Sequence, residues 1–145
     1  MSTGRIIVGV DGSESSKDAL RWAKAQADLT GAELVAVSAW SYPVASYPTL
    51  AGYVPMNDAL DLESETRAAL RTVVKETLGE TPVTLLVGEG HPANVLVDAA
   101  NDASLVVLGT RGHGGFIGAL IGSVSQHVVA HAACPVVVVR HPRRA

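Results

Sequence analysis

Short runs of β-branched and other apolar residues recur along the chain at 5–10, 34–40, 83–87, 105–109 and 136–140, and each reads as a strand. The segments between them carry a helical period instead. Ala19, Leu20, Ala23 and Ala27 predict an amphipathic helix over 14–29, with Ser13 as its N-cap and Gly31 as its stop. Ala59, Leu62, Ala69, Leu70, Val73, Val74 and Leu78 mark a second helix over 57–78, ahead of Gly79. Pro92 suits the first position of a third, over 92–102. Val124, Val128 and Ala132 share one face of a fourth, over 122–133, which Pro135 ends.

Strand and helix therefore alternate from end to end. Continuous apolar strands separated by helices mean a parallel sheet covered on both faces. With right-handed crossovers, the reading is an open, doubly wound α/β fold. No internal repeat or second domain is evident, so residues 1–145 read as one domain. The exception to the alternation is 41–55, "SYPVASYPTLAGYVP", with three prolines, three tyrosines and no period. Loops of that length are often functional, and Tyr42, Tyr47 and Tyr53 could form a lid or pack on the surface.

A chain of 145 residues buries enough surface, roughly 70% of it, to need no staples. With 48% hydrophobic and 17% charged residues it is not a disordered chain. Eleven basic against fourteen acidic residues give a net charge of −3, too mild and of the wrong sign for a nucleic-acid partner. Cys134, the only cysteine, can form no internal disulfide, which points to a reducing compartment. The opening "MSTGRIIVGVDG" lacks the apolar core of a signal peptide, and no apolar run approaches membrane-spanning length. A cytoplasmic protein with no membrane partner is the expectation.

The chemistry concentrates in two stretches. Ligands of open α/β sheets bind beyond the carboxyl ends of the strands, where the winding reverses. Asp11-Gly12-Ser13 follows the first strand there, and "GTRGHGGFIGALIGS", with six glycines in fifteen positions, follows the fourth. Glycines let a backbone approach a ligand closely. The free N–H groups of Ser123 and Val124 open the last helix, where its dipole favours an anion, and the Ser123 hydroxyl adds a donor. The region from Gly109 to Ser125 thus reads as a phosphate cradle built mostly from backbone. It is not a Walker A loop, since no Lys precedes Ser123, and not a dinucleotide fingerprint, since Ile117 stands where the third glycine belongs.

The pattern present is G-x₂-G-x₉-G-[ST], at Gly109, Gly112, Gly122 and Ser123. It resembles the ATP-binding signature of the universal stress protein family. "IIVGVDGSESSKDALRWA", "GEGHPANVLVDAA" and "GSVSQHVVAHAACPVVVVR" resemble that family's first strand, turn and helix, its third-helix entry, and its closing helix and strand. The resemblance implies a five-stranded sheet in the order 3-2-1-4-5, similar to the adenine-nucleotide alpha-hydrolase fold. It implies a homodimer through the last strand, from Val136 to Arg140. It further implies ATP as ligand, with Gly9, Val10 and Asp11 at the end of the first strand and Asp11 near ribose and adenine. Ser38 and Ala39 would line the adenine pocket. Gly109, Arg111 and Gly112 would run close to ribose and phosphates, and Gly122, Ser123, Val124 and Ser125 would receive the phosphates.

Between Gly112 and Gly122 there is no Lys or Arg, so Arg111 and His113 carry the nearby positive charge. Mg²⁺ would help to offset a triphosphate, with Asp11 the one local carboxylate candidate. The implied role is regulatory rather than enzymatic. AMP or cyclic AMP as signalling ligand, slow ATP hydrolysis, and a nucleotide-free dimer acting through its surface remain alternatives. The S-G-G-x-D-S loop of related enzymes that cleave ATP is replaced here by "DGSESS".

Three further features have plain readings. His127 and His131 stand at i, i+4, a metal-ligand spacing, but Val128 replaces the Glu of H-E-x-x-H and no third ligand is evident, so an exposed helix face is expected and no metal. Cys134 reads as a small buried filler. Trp40 reads as packing at the rim or stacking on a base.

Overall fold

Ile6, Ile7 and Val8 explain the architecture, because their side chains alternate between two cores. Ile6 and Val8 join one cluster and Ile7 the other, so their strand is covered on both faces. The structure, a computed structural model, describes residues 4–42, 56–110 and 122–140, with the side chains of 56–60 left aside. The elements run β1 (Arg5–Gly9), α1 (Glu14–Thr30), β2 (Glu33–Trp40), α2 (Met56–Leu78), β3 (Thr84–Glu89), α3 (Pro92–Ala100), β4 (Leu105–Gly109), α4 (Ser123–His131) and β5 (Val136–Val139). The five strands form one parallel sheet in the order β3-β2-β1-β4-β5, as expected.

Helices α1 and α2 close the face of Ile6 and Val8. Ala19, Leu20, Ala23 and Ala27 of α1 and Leu70 and Val74 of α2 meet Leu34, Ala36 and Val107 there. Helices α3 and α4 close the other face, where Ala93, Leu96, Ala100 and Val128 meet Ile7, Val35, Val37, Val106 and Leu108. Each fully buried aliphatic side chain contributes about 1.5–3 kcal/mol. The helix signals operate as read. Ser13 Oγ accepts from the Ser16 N–H at 3.2 Å, and Gly31 takes the left-handed conformation at φ 75°. Pro92 opens α3, and the His91 ring caps it by accepting from the Ala93 N–H at 3.2 Å, a cap not foreseen. No helix among the described residues is long and apolar enough to cross a membrane.

Several boundaries move. Strand β3 runs on through Gly88 and Glu89, which pair with Ala39 and Trp40. A Cβ at Gly88 would come within 2.7 Å of Val95 Cγ1, so the glycine seats α3 on the sheet. Helix α3 stops at Ala100 rather than 102. Helix α4 begins one residue later than expected, with Gly122 as its N-cap, and stops at His131, beyond which Ala132 is extended. Pro135 cannot continue a helix, having no N–H to donate and a ring that would strike the carbonyl four residues before it, so the chain leaves the helix ahead of β5. Strand β5 ends at Val139, short of Arg140.

Candidate functional site

Strands β1 and β4 lie side by side, yet the chain leaves them toward opposite faces of the sheet. A crevice must open where the two connections part. A cavity of about 650 Å³ occupies that place. Its floor is the strand ends: Gly9 at the end of β1 with Val10 to Gly12 after it, Val37 to Ala39 of β2, and Leu108 and Gly109 of β4. Gly122 to Ser125 at the start of α4 close one side. Glu65, Thr66, Ala69, Leu70 and Val73 of α2 form a second wall, and Pro92, Val95 and Leu96 of α3 a third.

All ten predicted site residues that fall among the described ones border this cavity: Gly9, Val10, Asp11, Ser38, Ala39, Gly109, Gly122, Ser123, Val124 and Ser125. Arg111 and Gly112, with His113, lie outside the described residues, as do Tyr47 and Tyr53. The walls from α2 and α3 were not anticipated as part of a site. Their apolar residues carry the helical period, and a period cannot distinguish a residue facing a core from one facing a cavity.

The loop after β1 is organised by its own side chains. Asp11 Oδ1 accepts from the Ser13 N–H at 2.9 Å, an Asx turn. Gly12 follows at φ 87°, a conformation that L side chains rarely adopt. Ser16 Oγ donates to the Ser13 carbonyl at 2.9 Å. Asp11 therefore has a turn to hold, as well as a place on the cavity.

The start of α4 is pinned to the end of β4. The Gly122 N–H donates to the Thr110 carbonyl at 2.5 Å, and Ser125 Oγ donates to the Gly109 carbonyl at 2.8 Å. No side chain caps this helix, in contrast to α1 and α3. Its first amides, those of Ser123, Val124 and Ser125, have no carbonyl within the helix to bond, and the residues that carry them border the cavity. Gly109 itself has a structural task. A Cβ there would fall within 2.6 Å of the Ser15 backbone oxygen, so a glycine is what lets α1 sit on β4.

The cavity is mostly apolar. Its charged side chains among the described residues are Asp11 and Glu65, and no Lys or Arg among them lines it. Trp40 stands off it and packs edge-on against Tyr42, at 5.4 Å between ring centres and 83° between planes. His127 and His131 are exposed, with ring centres 4.4 Å apart, and no group of three or more candidate ligands for a metal occurs among the described residues. Cys134 is half-buried against the core on the α3 and α4 side, and burial raises its thiol pKa.

Residues 3–140 match the model of the Universal stress protein family. The chain is 37% identical over 137 residues to a universal stress protein of Thermus aquaticus, covering 93% of this chain and 97% of that one. It is 35% identical over 136 residues to the universal stress protein Rv2623 of Mycobacterium tuberculosis, again over 93% of this chain. It spans under half the length of several curated relatives it matches, 44% in that case. Among solved structures, a universal stress protein in complex with cAMP aligns with a TM-score of 0.64 at 25% identity, covering 95% of this chain and 98% of that one. The universal stress protein from Archaeoglobus fulgidus in complex with dAMP aligns with a TM-score of 0.59 at 26% identity, covering 95% and 98%.

Proposed function

The chain belongs to the universal stress protein family, and from that membership we propose that it is a regulatory protein that binds an adenine nucleotide in the cavity between β1 and β4. The observation that carries this reading is the uncapped start of α4 on a largely apolar cavity. The amides of Ser123, Val124 and Ser125, at the positive end of the helix dipole, suit a phosphate. The apolar wall of Ala69, Leu70 and Val73 suits a base, beside the backbone of Ser38 and Ala39. Asp11 suits a ribose hydroxyl, and Gly9, Val10 and Gly109 give backbone on which the sugar can lie.

ATP is the first candidate, on the strength of Gly109, Gly112, Gly122 and Ser123 in the spacing G-x₂-G-x₉-G-[ST]. Mg²⁺ would offset the charge of a triphosphate, with Asp11 the local carboxylate that could hold it and Arg111 the nearest cation in the sequence. A second reading, AMP or cyclic AMP, is favoured by the want of Lys and Arg among the described lining residues and by the cAMP and dAMP held by two structural relatives. Binding rather than turnover is the proposed role. The output passes through a homodimer along the edge strand β5, whose four valines stay half-buried in one chain.

The test is to purify the protein without added nucleotide, denature it and identify what is released by mass spectrometry, then titrate ATP, AMP and cyclic AMP. About one adenine nucleotide per chain, lost in Gly122→Val, is the expected result. An empty protein that binds none of the three overturns the reading in favour of a dimer acting through its surface. Phosphate release well above background and lost in Asp11→Ala would overturn the non-enzymatic role. A monomer by sedimentation at micromolar concentration would overturn the β5 dimer.

A further inference from the structure

Two serine hydroxyls on the cavity make the same kind of bond. Ser38 Oγ, near the end of β2, donates to the Val10 carbonyl at 2.6 Å. Ser125 Oγ, in the first turn of α4, donates to the Gly109 carbonyl at 2.8 Å. Val10 is the first residue beyond β1 and Gly109 the last of β4, the strands on either side of the reversal in winding. Backbone carbonyls at such an end run out of ladder partners. Left open, these two carbonyls would add unpaired acceptors to residues that line a cavity whose described charged side chains, Asp11 and Glu65, are already acidic.

We infer that Ser38 and Ser125 are a matched pair of positioning residues, each taking up a strand-end carbonyl so that the cavity presents amide donors rather than carbonyl acceptors to its ligand. The inference rests on the nucleotide reading above. It separates Ser125 from Ser123, its neighbour in the motif. The single hydroxyl proton of Ser125, a residue only 5% exposed, is committed to Gly109. Ser123 is exposed at the first position of α4, and its hydroxyl bonds no other described residue. Ser125 holds the helix start in place, while Ser123 faces the ligand.

The two serines sit at different ends of the proposed ligand, and this gives each a signature. Calorimetric titration of the full chain with adenosine and with AMP reads both. Ser38→Ala, at the base end, leaves the Val10 carbonyl to water in the open cavity, and a ligand that displaces that water leaves it unpaired, so adenosine and AMP are expected to weaken alike by about tenfold. Ser125→Ala, at the phosphate end, weakens AMP by about tenfold and leaves adenosine within about twofold. Ser125→Cys, close in volume but a poor donor, moves the same way should the alanine variant not fold. A general loss of structure would weaken both ligands in every variant, and that result, or no loss in any of them, overturns the inference. A wild-type protein that binds neither ligand removes the nucleotide reading instead. The clamp is then decided on the ligand-free chain, where faster amide exchange at 122–125 in Ser125→Ala upholds it and unchanged exchange overturns it.

Discussion

Gly109→Ala separates two reasons for a glycine at the end of β4, ligand clearance and helix seating. The added Cβ would lie 2.6 Å from the Ser15 backbone oxygen and 2.7 Å from its carbonyl carbon, and nearer still to Ser15 Oγ. The hydroxyl can rotate away, but the backbone cannot. Ordinary contact begins at 3.4 Å, so the first turn of α1 would have to retreat by about 0.8 Å. That turn carries Ser15 and Ser16, both buried, and leads into Ala19 and Leu20, which have no exposed surface. Overpacking of this kind costs typically 1–3 kcal/mol, and a backbone neighbour puts it at the top of that range, about 3 kcal/mol. For a chain of this length the melting temperature should fall by roughly 6–12 °C. Gly122→Ala is the control. Gly122 sits at φ −72° and ψ 165°, open to any residue, and the change should cost about 1 kcal/mol or less. Thermal unfolding followed by circular dichroism reads both. A Gly109→Ala protein that melts within about 2 °C of the wild type would refute the seating argument. If that protein had also lost its nucleotide, ligand clearance would be the reason for the glycine.

Three other outcomes are expected. Ser13→Ala removes the α1 cap, which accepts from the Ser16 N–H, and should lower stability by about 1 kcal/mol in a urea titration; no change would mean that the Asp11 turn alone holds the helix start. Leu20→Ala empties a fully buried position beneath α1 and should cost about 2–5 kcal/mol, whereas Arg5→Gln breaks an ion pair whose side chains are both nearly half exposed and should cost under about 0.5 kcal/mol by the same titration. Burial raises the Cys134 thiol pKa, so the folded protein holds less thiolate at a given alkaline pH than a free thiol does; the pH profile of its alkylation by iodoacetamide should sit to the alkaline side of that of an unfolded control, and a profile on the acidic side would contradict it.

The sheet was legible because a strand buried on both faces is an unbroken apolar run, as in Ile6 to Val8 and Val106 to Leu108. The loops of the cavity were legible because their residues have no place in a core: an Asp beside a Gly, and a Gly before a Ser at a helix start. What stayed hidden is what the packing decides. Ala69, Leu70 and Val73 are apolar whether they face the sheet or an open slot. The need for a glycine at 88 could not be read from its neighbours, because it comes from Val95, a residue on another element. The roles of Ser123, Val124 and Ser125 look alike in sequence, and only the bond from Ser125 to Gly109 tells the last of them apart.

The central place of β1 bears on how the chain reaches its native state. Its partner on one side, β2, follows after a single helix, with Ile6 opposite Leu34. Its partner on the other side is β4, with Ile6 opposite Leu105, 99 positions later. During synthesis the first strand therefore waits for most of the polypeptide before its second flank is covered. Until then Ile6, Ile7 and Val8 border an unpaired edge, the kind that nucleates association between incomplete chains. The slow step of folding should be the docking of β4 onto a preformed β1-α1-β2 unit, since contacts so distant in sequence form late. Fragments cut before residue 105 should aggregate where the whole chain does not.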